Sequence, residues 1–191
     1  MATDTHPWAG RAALPPLKRA AWLAMAAVTM FFLALTYAYV QRNGLNTGWL
    51  SPELAKILAA NTAILLASSA ALWRAREFLG VGLMRPALQW TAAALGLGVA
   101  FLAGQALAWR YLLNAGIYVA EHPNSGFFYL VTAAHAAHLT VALGLLGWVL
   151  SRLWRGRLQP ERPLAMDVTA IVWHCLDITW VYLFLVLLFY R

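Results

Sequence analysis

The stretch Val168–Tyr190, VTAIVWHCLDITWVYLFLVLLFY, decides the fold: it runs 23 residues with Asp177 as its sole Asp, Glu, Lys or Arg. A helix needs about 20 predominantly apolar residues to cross the hydrocarbon core of a bilayer. Apolar and polar positions do not alternate here, so the period of a half-buried strand is missing. A backbone in lipid must also satisfy its hydrogen bonds within its own segment or close into a barrel. The stretch therefore reads as a transmembrane helix. Four more runs of comparable length precede it, at about Arg19–Val40, Leu54–Trp73, Ala87–Trp109 and Phe127–Leu150. The expected fold is all-α, an integral membrane bundle of five transmembrane helices.

The rest of the composition agrees. Hydrophobic residues make up 62% of the 191 and charged residues 11%, less than half the share that coats an ordinary soluble surface. The net charge of +7 does not point to nucleic acid, because the basic residues fall in short gaps between apolar runs and form no patch. Ten tryptophans and seven tyrosines suit a chain anchored at two membrane–water interfaces. Turn signals separate the runs: Asn43-Gly44, Ser51-Pro52, Pro86, His122-Pro123-Asn124-Ser125-Gly126, and Pro160 with Pro163. No gap is long enough for a second domain, which leaves a tail over residues 1–18 and a membrane domain over 19–191. The tail lacks an apolar core with a small-residue cleavage site, so no removable signal peptide is expected. Cys175, the single cysteine, reads as a small packed hydrophobe.

Basic residues set the expected orientation. Arg11, Lys18, Arg19, Arg74, Arg76, Arg85, Arg152, Arg155, Arg157 and Arg162 fall on one side, against Arg42, Lys56, Arg110 and Arg191 on the other. The excess places the N-terminus in the cytoplasm and the C-terminus outside.

Polar groups inside the runs are few. Asp177 alone among the carboxylates lies well within a span, and such a group costs at least about 2.5 kcal/mol on insertion scales, so it should face protein and find a partner. His174 stands three residues back on the same helical face. A hydrogen-bonded structural pair is the favoured reading over a proton relay, which needs a longer chain of titratable groups. His135 and His138 form H-x-x-H on one face of the fourth run. Histidine is a common metal ligand, but no H-E-x-x-H and no second cysteine accompany the pair, so hydrogen bonding between helices is favoured. Asn61, Thr62, Ser68, Ser69, Gln89, Thr91, Gln105, Thr132 and Thr140 more often bond a neighbouring helix or their own backbone than a substrate. Small residues on the third run, among them Gly98 and Gly104, suit close helix packing. Nucleotide, hydrolase and dinucleotide motifs are absent.

Four segments read in order go further. Asn61-Thr62-Ala63-Ile64-Leu65-Leu66-Ala67-Ser68-Ser69 resembles the N-T-x-x-L-x-x-S-S stretch of haem–copper oxidase (cytochrome c oxidase) subunit III. Gly98, Phe101 and Gln105 resemble its G-x-x-F-x-x-x-Q pattern. Phe127-Phe128 through Thr132 to His135 and His138 is similar to F-F-x-x-T-G-x-H-G-x-H. Trp173-His174-Cys175-Leu176-Asp177-Ile178-Thr179-Trp180 is similar to W-H-x-x-D-x-x-W. The chain departs from the pattern in lacking the family's glutamate near Ala27–Phe31 and another near Ala108-Trp109, and in carrying alanine at both glycine positions beside the histidines of the fourth run.

The resemblance implies a short, five-helix bacterial form of the subunit, in the cytoplasmic (inner) membrane. It implies no catalytic residue, no cofactor and no metal in this chain, with haem and copper in partner subunits and phospholipid between the helices. Its partners would be oxidase subunit I, the main contact, then subunit II and small subunits, with no nucleic acid. Its role would be to sustain stability and proton uptake while the complex reduces oxygen with cytochrome c. His135, His138, His174, Asp177, Trp173, Trp180, Asn61 and Gln105 would be structural, or contacts to lipid or partner. The equivalent subunit of a quinol oxidase or nitric oxide reductase system is the alternative, and a membrane b-type cytochrome using the three histidines a more distant one.

Overall fold

The structure, a computed structural model, describes residues 15–43, 51–118, 123–158 and 163–189. Residues 1–14 of the tail, Gly44, His122, Pro160, Arg162, Tyr190 and Arg191 lie outside them, as does the side chain of Arg42. The elements are α1 (Pro16–Asn43), α2 (Pro52–Gly80), α3 (Met84–Asn114), α4 (Pro123–Trp154) and α5 (Leu164–Phe189). All five are long and apolar enough to cross a membrane.

Local sequence explains where the helices start and stop. Ser51 caps α2 by accepting a hydrogen bond from the Leu54 amide at 3.2 Å, and Pro52 occupies the first turn, where its missing N–H costs nothing. Gly82, at φ 79°, ends α2: its amide bonds the Leu79 carbonyl and the Leu83 amide bonds that of Phe78. A side chain there would be strained in the left-handed region. Gly116 and Gly156 repeat the arrangement after α3 and α4.

The helices run past the expected spans. The sequence reading ended spans where charge begins, but helical hydrogen bonding continues through charged residues into the interface. Arg74 and Arg76 consequently lie on α2, Arg85 on α3 and Arg152 on α4, not in loops. Asn124, Ser125 and Gly126, expected in a break, belong to the first turn of α4. Lys18, assigned to the tail, is on the first turn of α1.

Four half-exposed tryptophans mark one interface. Trp22, Trp73, Trp90 and Trp148 are 42–51% exposed and sit six or seven residues inside the helix end nearest them. That depth, about 10 Å at 1.5 Å per residue, is the overhang that carries the basic side chains beyond the aromatic belt.

Helices α2, α3, α4 and α5 pack in a closed ring, with α2 and α3 the most extensively paired, and α1 leans against α5 and α4. Phe32, Phe101, Phe128, Trp173 and Trp180 are fully buried at the centre. Association between apolar helices in lipid depends on packing contacts, and α3 supplies them with small residues. A Cβ on Gly98 would sit 2.9 Å from Leu143 and closer still to the Trp173 ring. One on Gly104 would strike the Asn61 amide.

Candidate functional site

The polar residues expected to matter lie in two places, one sealed inside the ring and one at its edge. The interior group starts from Asn61 on α2, which lies over Gly104 and donates from Nδ2 to the Phe101 carbonyl at 3.1 Å. Next to it Thr62 donates to the Leu58 carbonyl and accepts from the Trp180 indole at 3.0 Å, joining α2 to α5. Trp180 stands edge-on to Phe101 at 4.9 Å and tilted against His135 at 5.0 Å.

His135 has no exposed surface and is enclosed by Phe32, Phe101 and Trp180. Neither ring nitrogen has a hydrogen-bond partner among the described residues. His138 donates from Nδ1 to the Ala134 carbonyl of its own helix at 2.7 Å and packs on Phe31 and Phe32. The expected bonds from these histidines to other helices are therefore not made. Aromatic rings from α1, α3 and α5 surround the pair instead. Across the α3–α4 seam the Trp109 indole bonds Thr132 at 3.0 Å. Gln105, one turn before Trp109, is buried with both amide atoms unpartnered among the described residues.

The edge group corrects a second expectation. His174 and Asp177 do not bond each other. His174 Nδ1 shares a 2.5 Å hydrogen bond with Ser69 Oγ of α2, and the same Ser69 is the polar neighbour of the Asp177 carboxylate, whose oxygens are buried with the residue 3% exposed. Ser69, His174 and Asp177 line one groove with Leu66, Ile178 and Val181. Spacing of three along a helix puts two side chains on one face without making them touch, and α2 came between them. Trp173, one turn before Asp177 on α5, is buried over Gly98.

Two features escaped the sequence reading. Asp167, in the first turn of α5, pairs with Lys18 at the start of α1 and with Arg76 Nε near the end of α2 at 2.6 Å. It ties three helices at one end and stands near the α5 N-terminus, where the helix dipole favours an anion. An acid seven residues before His174, at the edge of a span, was the available signal. The other feature is a groove of about 480 Å³ between α4 and α5, walled by Leu145, Leu158, Leu164 and Val168 and carrying Arg152 and Arg157. Arg152 stacks over the Trp148 ring at 5.4 Å, and its Nε is buried without a partner among the described residues.

Among the described residues no group of three or more His, Cys, Asp or Glu side chains could hold a metal ion. His135 is enclosed by packed aromatics. The arrangement is built to hold helices together and to offer grooves at its edges.

The profile of the family described as cytochrome c oxidase subunit III matches residues 17–191. A probable cytochrome c oxidase subunit 3 of Nocardia farcinica is 30% identical over 171 residues, covering 85% of this chain and 82% of its own. One from Mycobacterium tuberculosis is 31% identical over 103 residues, and there the match spans about half of each protein, 54% of this chain and 51% of the other. The quinol oxidase subunit 3 of Bacillus subtilis is 22% identical over 166 residues, with 85% and 81% covered.

Proposed function

This chain belongs to the cytochrome c oxidase subunit III family, and from that premise we propose that it is the non-catalytic accessory subunit of a haem–copper terminal oxidase in a bacterial cytoplasmic membrane. The observation that carries the proposal is where its polar residues lie. Asn61, Gln105, His135, Trp173 and Trp180, all within segments that resemble the family, are consumed in helix packing. None of them lines the grooves described at the edges of the bundle. Its contribution would be mechanical: to hold subunit I, with subunit II and small subunits, in a state that keeps proton uptake and turnover intact. Haem and copper would belong to those partners.

Phospholipid is the ligand we assign to the chain itself. The α4–α5 groove joins apolar walls to Arg152 and Arg157 at the belt of Trp148, which fits acyl chains below and an anionic headgroup above. The basic-residue bias supports a cytoplasmic N-terminus, with this groove on the cytoplasmic side.

A strain lacking the chain tests the proposal. The oxidase that remains should show an unaltered haem spectrum yet lose activity faster during sustained turnover. Equal lifetimes with and without the chain would overturn it. The similarity to a quinol oxidase subunit keeps quinol as an alternative electron donor, and oxygen uptake with reduced cytochrome c against quinol separates the two.

A further inference from the structure

Four helices bring polar or aromatic groups to one depth inside the ring. Trp109 of α3 bonds Thr132 of α4, and Gly98 of α3 meets Leu143 of α4, so eleven residues separate the two contacts along either helix. In that register Gln105 stands level with Ala136, beside His135. Asn61 of α2 joins the same level, because its amide lies over Gly104 and donates to the Phe101 carbonyl. Trp180 of α5 closes the level against the His135 ring at 5.0 Å, and Phe101 stands edge-on to that ring at 6.1 Å. Asn61, Gln105 and His135 are 3%, 1% and 0% exposed.

This level holds more hydrogen-bonding groups than bonds. Asn61 Oδ1, both amide atoms of Gln105 and both ring nitrogens of His135 are buried with no hydrogen-bond partner among the described residues. Their polar neighbours are already engaged. The Trp180 indole donates to Thr62, whose own hydroxyl donates to the Leu58 carbonyl. The Trp109 indole donates to Thr132, whose hydroxyl donates to the Phe128 carbonyl. His138 donates to the Ala134 carbonyl of its own helix. A buried donor or acceptor left unmet forfeits the bond it made to water before folding. Five such atoms at one level need a common answer.

Turning the Gln105 side chain onto His135 would make one bond and serve two of the five atoms. Water offers two donors and two acceptors, and an enclosed water typically meets about three otherwise unsatisfied polar groups. An imidazole in either neutral tautomer keeps one nitrogen as an acceptor, and an amide nitrogen always donates. Other ligands fit less well. No group of three or more His, Cys, Asp or Glu among the described residues could hold a metal ion. The closed ring of α2, α3, α4 and α5 shuts out lipid. Ala108, buried one turn beyond Gln105, and Ala136 across the seam border the level with small side chains.

We propose that Asn61, Gln105 and His135 form a sealed site that binds an ordered water molecule and so ties α2, α3 and α4 at this level. The water accepts from the Gln105 amide and donates to Asn61 Oδ1 and to the bare ring nitrogen of His135, supplying bonds that the helices do not make directly. The site is independent of the accessory role, since it stands or falls on the bundle alone.

For the test, the full chain is imaged in the membrane assembly with which it purifies, at a resolution that shows ordered water. A density peak within hydrogen-bond distance of both Gln105 and His135 is expected. Gln105 bonded straight to His135 with no such peak would overturn the proposal, as would a peak with the coordination of a metal ion. A second measurement follows the imidazole by solid-state NMR of the chain labelled at histidine, in membranes, with His135→Phe identifying the His135 signals. A cross-peak between water and the His135 ring should be present in the parent. It should fall at least several-fold in Gln105→Leu, which keeps most of the side-chain bulk and removes the amide. A parent ring without water contact, or an equally strong cross-peak in Gln105→Leu, would refute the assignment. Loss of folding in either variant leaves the decision to the density in the parent chain.

Discussion

Asp167 and Asp177 show how differently two acids of one helix are used. Asp167 holds Lys18 and Arg76 across three helices with its own side chain 10% exposed. Removing one partner of a buried ion pair strands the others, although both cations here are partly open to solvent and soften the loss. Asp167→Asn should therefore destabilise the bundle by about 1–2 kcal/mol, read as a lower midpoint of thermal unfolding in detergent. An unchanged midpoint would show that the tie adds nothing. Asp177→Asn keeps an oxygen facing Ser69 and removes no ion pair among the described residues, so its midpoint should stay within about 0.5 kcal/mol of the parent. The sequence singled out Asp177 correctly as the acid inside a span. It could not show that Ser69 would take His174, because spacing along α5 says nothing of what α2 brings alongside. Asp167 passed unnoticed for the converse reason, since acids at span ends are ordinary and its two partners are remote in sequence.

At the scale of elements, α3 carries the most explicit sequence instructions. Gly98 and Gly104 lie where a Cβ would collide with Trp173 and Asn61, whereas Gly96 has nothing within 4 Å. Gly104→Ala should cost about 1–3 kcal/mol through overpacking against α2. Gly96→Ala should be neutral or stabilising by about 0.5–1 kcal/mol, because alanine forms helix better than glycine. Parallel thermal melts of the two variants would check this, and equal losses would refute the packing assignment. All of these glycines are visible in the sequence, but which ones meet a neighbour depends on the face of α3 that turns inward. Number and order of the helices were legible because apolar length alone signals a span. Their ends were not, since hydropathy stops at the first arginine while Gly82, Gly116 and Gly156 set the true stops. Those glycines were the readable cue for the ends.

For the molecule as a whole, orientation and dependence on partners are the properties at stake. The tryptophan belt at Trp22, Trp73, Trp90 and Trp148 lies on the side richer in basic residues, which should be cytoplasmic. Alkaline phosphatase fused after Arg191 should then be active, and an inactive fusion would reverse the topology. Family membership was legible because four separated segments match in order, each placing a polar residue that the fold buries. The absence of a glutamate near Ala27–Phe31 was legible too, and α1 meets α4 there through Phe31 and Phe32 against the histidines instead. The central claim, that chemistry resides in the partners and cohesion in this chain, is tested most directly by tagging it and isolating it in mild detergent. The haem in the isolate is then assigned to a polypeptide by spectrum and mass. The account predicts haem in a co-purifying membrane subunit and no Soret band in the tagged chain once the two are separated. A Soret band that stays with the separated chain would contradict it.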